Sequence, residues 1–272
     1  MKVLSFFNYK GGVGKTTSAV SLSYLLSRQN KRVLIVDLDA QCNSTNDFNA
    51  VDMKQLRDYA FQGIFDFQEE SAFNVLTDAN YDITKAIHKT RYENLDIIPS
   101  IPTLDNANVY LMNMLSSGQN AQFNLRNQLK KLEGNYDYVI LDNAPHKDLI
   151  ATNSLVASDY LYVPIMPDPN SSIGLALAIN FMKEVQGSLN PNLKFGGAFF
   201  ASFHENHNAD KEECEALQHY IADNLIDVKI PESTNIKKMH QQQKQLLEIN
   251  PNHNTTIRYI ELTEFIINQT KD

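Results

Sequence analysis

The chain is poor in the residues that mark redox, metal-cluster and membrane proteins. Cysteine occurs only twice in 272 residues, as Cys42 and Cys214. The two are too far apart for a ligand pair, which excludes a thiolate cluster and suits a reducing cytosol. No apolar run approaches the roughly 20 residues that span a bilayer. The short N-terminal apolar run leads straight into a glycine loop, not into a cleavage site, so a cytoplasmic protein is expected. Basic residues are in deficit: 24 Lys and Arg against 32 Asp and Glu give a net charge of -8. That excludes a uniformly basic nucleic-acid binder and leaves room for a local basic patch. No linker, repeat or low-complexity tract divides the chain, and Gln241, Gln242 and Gln243 are too short a run to count as one. No Ser/His/Asp set is placed together by the sequence. With 43% hydrophobic residues, residues 1–272 are expected to form a single α/β domain.

Apolar runs alternate with helical patterns along this length. Strands are expected near 3–8, 32–37, 95–99, 138–142, 160–164 and 195–203, and helices near 17–29, 79–88, 104–132, 149–157, 172–188 and 209–224. Most of the strand runs are continuously apolar, as in parallel strands buried on both faces. The predicted fold is a doubly wound, mostly parallel sheet with helices on both faces, which takes its ligands at the carboxyl ends of the strands. Residues 43–80 are polar and irregular with interspersed aromatics (Phe48, Tyr59, Phe61, Phe65, Phe67), and read as a surface excursion with short helices.

What the chain does have is a glycine loop between the first strand and the first helix: Lys10, Gly11, Gly12, Val13, Gly14, Lys15, Thr16, Thr17. Glycines let backbone N–H groups converge on an anion, and the helix N-terminus adds a favourable dipole. In such a phosphate loop Lys15 reaches the β- and γ-phosphates and the Thr16 hydroxyl ligates Mg²⁺. The first position of the usual G-x-x-x-x-G-K-[ST] pattern holds Tyr9, and an extra lysine, Lys10, follows it. Two acidic strand ends complete the set. One is Asp37-Leu38-Asp39, whose carboxylates are two residues apart and so leave a pleated strand on the same side. The other is Asp142, which ends the apolar run from Tyr138 and is placed to hold Mg²⁺ through its water shell.

The string from Lys10 to Thr17 resembles the deviant Walker A loop of the ParA/MinD family of P-loop ATPases. Asp39-Ala40-Gln41 resembles that family's D-x-D-P-Q motif with Ala40 for proline, and Asp142-Asn143-Ala144-Pro145 its D-x-P-P motif with Ala144 for the first proline. The following His146-Lys147-Asp148 is atypical. The likeness extends through 93–99 and 153–164 and again from Ile230-Pro231 onward, and is weakest at 43–80 and 203–229. The segment Asp39-Ala40-Gln41-Cys42-Asn43 resembles the ParA branch. The tail from Thr263 to Asp272, with one lysine and two acids, is unlike the basic membrane helix of the MinD branch and reads as a helix packed on the domain.

The resemblance implies a partition ATPase whose cofactors are ATP and Mg²⁺, bound by residues 10–17, with Pro231 bordering the base pocket. Thr16, Asp39 and Asp142 face the metal. It implies a homodimer closed over two nucleotides, in which Lys10 acts across the interface and Asp39 orients the attacking water. It implies nonspecific DNA binding through Lys237, Lys238 and Lys244, though Asn235 stands where the family often has arginine. A ParB-type partner would stimulate hydrolysis. The expected location is cytoplasmic and nucleoid-associated, with no membrane partner. Since the phosphate loop begins at residue 10, no N-terminal DNA-binding extension is expected. The rival readings are a MinD-like or protein-cargo positioning ATPase and a small-molecule phosphotransferase. His204 and His207, without a third ligand at convincing spacing, read as a polar loop.

Overall fold

Residues of each strand point alternately into two helical layers, and the apolar pattern follows that alternation. The structure is a computed structural model that describes residues 1–64 and 69–271. Its strands are β1 (Lys2–Phe6), β2 (Val33–Leu38), β3 (His88–Lys89), β4 (Leu95–Ile98), β5 (Tyr138–Asn143), β6 (Tyr160–Ile165), β7 (Lys194–Phe203) and β8 (Leu225–Pro231). They form one sheet in the order β3-β4-β2-β5-β1-β6-β7-β8. Every pairing is parallel except that of β3 with β4. This is the doubly wound sheet the sequence led one to expect.

On one face Leu4, Phe6, Ile35, Ile140, Tyr162 and Phe199 pack against the helices Lys15–Arg28, Thr234–Gln242 and Asn254–Thr270. On the other, Leu34, Val36, Val139 and Leu141 meet the helices Ala72–Thr77, Ala107–Ser116 and Asn124–Lys130. Phe7, Leu161, Val163 and Phe200 meet Leu149–Ala157 and Pro169–Ser188. The apolar tail residues Ile266 and Ile267 are buried in the first layer, as expected; Asp272 lies outside the described residues. No described helix is long and apolar enough to cross a membrane.

Three expectations are corrected. Residues 79–88 do not form a helix but the 3-10 turn Ile83–Ala86 and the edge strand β3. The side chains of Asp78 and Asp82 accept from the backbone N–H two residues on, at 2.8 and 3.1 Å, and these local turns compete with helix. The single helix expected over 104–132 is broken by Ser116-Ser117-Gly118. Both serines donate back to the carbonyl four residues earlier and Gly118 takes φ +82. Leu225–Pro231 adds the strand β8, half-exposed at the sheet edge and therefore without a continuous apolar run. The excursion at 43–80 does contain short helices, Asn43–Asp47, Met53–Phe61 and Ala72–Thr77. Its aromatics divide: Phe48 is buried edge-to-face with Tyr92, Phe61 is exposed, and Phe65 and Phe67 lie outside the described residues.

The C-terminal helix is bonded to the sheet by polar groups as well as by packing. Tyr162 donates its hydroxyl to Gln269 Oε1 at 2.6 Å, and Gln269 Nε2 donates to the Gly196 carbonyl at 2.9 Å. A Cβ at Gly196 would lie 2.5 Å from the Tyr162 ring. Gly196→Ala is therefore expected to displace that ring and lower stability by about 1–3 kcal/mol. At Gly187, an exposed helical glycine with nothing near its Cβ position, alanine is expected to raise stability by up to about 1 kcal/mol. Urea unfolding of both variants reads the contrast, and equal effects would contradict the packing described.

Candidate functional site

Chain order reverses around β1, which has β5 on one side and β6 on the other, so a crevice opens at the carboxyl ends of these strands. The glycine loop crosses that crevice. Gly12 and Gly14 take φ +74 and +85, left-handed values that side chains resist. Gly14 is also the N-cap of the helix Lys15–Arg28, and no side chain caps that helix. Its first N–H groups thus lie at the crevice without a side-chain cap. Asn8 braces the loop: it donates to the Pro164 carbonyl at 2.9 Å and accepts from the Lys10 N–H at 3.0 Å.

The structure brings Gly11, Gly12, Gly14, Lys15, Thr16, Thr17 and Asp39 together in one cleft of about 450 Å³, with Gln41, Asn43, Pro145, Ile236 and Tyr259 also on its walls. Val13, between Gly12 and Gly14 in the loop, is buried. Lys15 is 6% exposed, and its ammonium donates to the Lys10 carbonyl at 3.0 Å. Burial pulls its pKa down, against the opposing charges of Asp142 and Asp39.

The carboxylates at the strand ends take different places. β2 ends at Leu38, so the pleat that would have put Asp37 and Asp39 on one side stops between them. Asp37 is fully buried and accepts from the N–H and hydroxyl of Thr45 at 2.8 and 2.7 Å. It fixes the loop behind the site. Asp39 lines the cleft. Asp142 is also fully buried; its Oδ2 accepts from the Ser44 hydroxyl at 2.7 Å, while its Oδ1 has no hydrogen-bond partner among the described residues. Burial pushes the pKa of both Asp37 and Asp142 up. The orphaned Asp142 oxygen beside Lys15, and the open space over Gly11 and Gly12, fit a hydrated Mg²⁺ and a phosphate chain.

Lys10 stands at the rim, where its ammonium pairs with Asp168 Oδ2 at 2.6 Å and is 31% exposed. Asp168 Oδ1 meanwhile caps the helix Pro169–Ser188 through the Ser171 N–H. Pro231 lines a neighbouring cavity, with Phe203, His204 and Glu232, not the phosphate cleft itself. Lys237 and Lys238 project to solvent from the helix Thr234–Gln242, and Lys244 from the turn that follows it.

Two groups at the cleft and its rim escaped sequence reading. Asp168 carried a usable signal, an acidic residue just ahead of Pro169 at a helix start. His240 carried none. It sits on the cleft wall, one ring nitrogen 2.7 Å from Asp47 Oδ2 and the other 3.1 Å from the Thr17 hydroxyl. Burial disfavours its charged ring, but the hydrogen bond and charge of Asp47, with the charge of Asp142, prevail and raise its pKa.

A family profile described as an AAA domain matches residues 1–195. The uncharacterized protein MJECL24 of Methanocaldococcus jannaschii is 32% identical over 272 residues, the whole of both chains. The chromosome partitioning protein ParA of Myxococcus xanthus is 29% identical over 237 residues, 87% of this chain and 77% of that one. Among solved structures, cobyrinic acid a,c-diamide synthase of Mycobacterium smegmatis with bound ADP and magnesium superposes with a TM-score of 0.79, covering 97% of this chain and 93% of that one. At 23% identity that likeness speaks for the fold alone. With the glycine loop and Asp39 in one cleft, the additional lysine at its rim and Asp142 buried near Lys15, and with these relatives, the chain belongs to the ParA/MinD family of deviant Walker A P-loop ATPases.

Proposed function

We propose that this chain is a ParA-type ATPase of DNA partition, which binds ATP with Mg²⁺, closes as a homodimer and in that state binds DNA without sequence preference. The observation that carries the DNA part of this reading is the helix Thr234–Gln242. One side touches the cleft through Ile236 and His240, and the other presents Lys237 and Lys238 to solvent. The basic surface and the nucleotide site are thus two sides of one short element. The ParA name of the Myxococcus xanthus relative supports the same reading.

In the cleft, Lys15 and the loop N–H groups hold the β- and γ-phosphates. Mg²⁺, when bound, neutralises charge on the phosphate oxygens, and Thr16, Asp39 and Asp142 are the residues placed to hold it and its waters. Asp39 orients the attacking water. Lys10 leaves Asp168 and places its ammonium on the phosphates of the partner subunit, where positive charge stabilises the transferring group. A ParB-type protein at a centromere-like DNA site stimulates this step and releases the dimer from the nucleoid. A cargo-positioning ATPase differs only in what the closed dimer binds.

Lys15→Ala is expected to weaken ATP binding at least tenfold, about 1.4 kcal/mol, in a titration with a fluorescent analogue. Asp39→Ala should bind ATP and accumulate as dimer while hydrolysis falls by roughly 10²-fold or more. Lys10→Ala should bind ATP yet stay monomeric by light scattering; a normal dimer would remove its role across the interface.

For DNA, the pair of changes Lys237→Ala and Lys238→Ala should weaken ATP-dependent binding to all sequences alike and leave ATP affinity unchanged. Removing one lysine from a DNA phosphate should reduce the log–log salt slope by about one. An unchanged slope would place the DNA-binding surface elsewhere, and a parent protein that binds no DNA with ATP at low salt would favour the cargo reading.

The link between the two sides is testable by pH. The folded-state pKa of His240 is raised, so the stability it contributes is complete below the unfolded histidine value of about 6.5. That contribution declines as pH rises through the folded value. The stability gap between the parent and His240→Gln should therefore be largest near pH 6 and narrow at higher pH; a gap that widens with pH would contradict the assignment.

A further inference from the structure

The geometry points to a second cation site, outside the nucleotide cleft: a transition-metal ion of the zinc, cobalt or nickel type held by His204, His207 and Asp210. The chain after β7 turns back on itself, with the His207 N–H donating to the His204 carbonyl at 3.0 Å, before the helix Asn208–Ile221 begins. That turn stacks the two imidazoles, ring centroids 4.4 Å apart and 19° from parallel. Asp210, buried in the first turn of the helix, sets one carboxylate oxygen against each ring. Its Oδ2 is 3.2 Å from His204 Nδ1, and its Oδ1 is 3.8 Å from His207 Nδ1. One ligand atom from each of the three residues lies within 4.8 Å of the others.

The hydrogen bond on the far side of His204 gives this cluster its chemistry. Nε2 meets Glu232 Oε2 at 2.8 Å, and a carboxylate only accepts, so Nε2 carries the proton. Without metal, a proton on Nδ1 donates to Asp210 Oδ2, which also accepts the His204 backbone N–H at 2.8 Å. A metal ion would take the place of that Nδ1 proton, with Asp210 as its second ligand. His207 Nδ1, beyond hydrogen-bonding distance of Asp210, adds a third donor on the same side. Glu232-His204-metal is the carboxylate–histidine–metal arrangement that fixes the tautomer and raises ligand basicity. Bonds of about 2.0–2.2 Å to imidazole and carboxylate require the donors to close in. His207, exposed on its turn, can make that movement.

Two imidazoles and a carboxylate suit zinc, cobalt or nickel and not Mg²⁺, which prefers oxygen ligands and keeps its water. A cavity of about 280 Å³ bordered by His204, His207, Glu232 and Asn254 leaves room for water at the remaining position. The bound ion would cross-link the turn after β7 to the helix Asn208–Ile221 and, through Glu232, to the end of β8. Ala201 and Ser202, just upstream on β7, line the nucleotide cleft, so the ion would stiffen its rim.

The test uses the full chain, stripped with chelator and dialysed. Titration with Co²⁺ should give visible d–d bands saturating at one ion per chain. Zn²⁺ should displace it and raise Tm by mass action, and excess Mg²⁺ should displace neither ion. His207→Ala should remove most of the signal. Glu232→Gln, which leaves all three ligands in place, should weaken binding roughly 10–100-fold. Absence of d–d bands and of a Tm shift at equimolar metal would overturn the proposal. So would binding that needs millimolar metal and is equal in the parent and both variants. The cluster would then be an ion pair that anchors the start of the helix.

Discussion

A buried ammonium set against buried carboxylates is the constraint on which the site depends. Lys15 has almost no contact with water, and neither do Asp37 and Asp142. Burial disfavours the charged form of all three groups, lowering the pKa of the lysine and raising those of the acids. Such groups persist only where neighbours satisfy them. Thr45 does this for Asp37, Ser44 for Asp142 and the Lys10 carbonyl for Lys15. The helix Asn43–Asp47 that follows β2 supplies two of these three partners, which explains why an apparently irregular excursion begins with a turn of helix held against the carboxyl ends of β2 and β5. One carboxylate oxygen, Asp142 Oδ1, has no partner among the described residues. The charge imbalance is local, and a hydrated divalent cation with an anionic ligand complements it.

From this cluster, hydrogen bonds and ion pairs run outward in two directions. Toward the rim, Asp168 joins Lys10 to the start of the helix Pro169–Ser188, so the extra lysine of the loop is held by an element that belongs to β6 and not to the loop itself. Toward the basic surface, Asp47 and Thr17 hold His240, and Gln243 donates to the Asn46 carbonyl at 2.9 Å. The helix Thr234–Gln242 is thereby fastened to both the phosphate loop and the helix after β2. Lys237 and Lys238 thus stand on an element hydrogen-bonded to both.

The sequence made most of this legible where the physics is local. Continuous apolar runs mark strands buried on both faces, and β2, β5 and β6 were placed within a residue or so. A glycine loop between strand and helix can be read because only glycine accepts the required φ values at low cost. Reading failed where local and tertiary preferences compete. Asp78 and Asp82 stop a helix that spacing alone favours, and β8 lies at an edge where half its residues face water. His240 and Asp47 are 193 positions apart, and no periodicity connects them.

By itself, then, the sequence determined the doubly wound sheet, the phosphate loop and the acidic strand ends, because each rests on conformational preference or burial over a few consecutive residues. The tertiary structure alone decided how the acids divide their work. Asp37 is consumed by Thr45 and Asp39 faces the cleft, because β2 ends one residue after Asp37, while Asp142 on β5 keeps an oxygen with no partner among the described residues. It also decided that His204 and His207 face a buried Asp210 with Glu232 behind them. That outcome depends on how a turn, a helix start and the end of a neighbouring strand meet in space, which residue spacing does not encode.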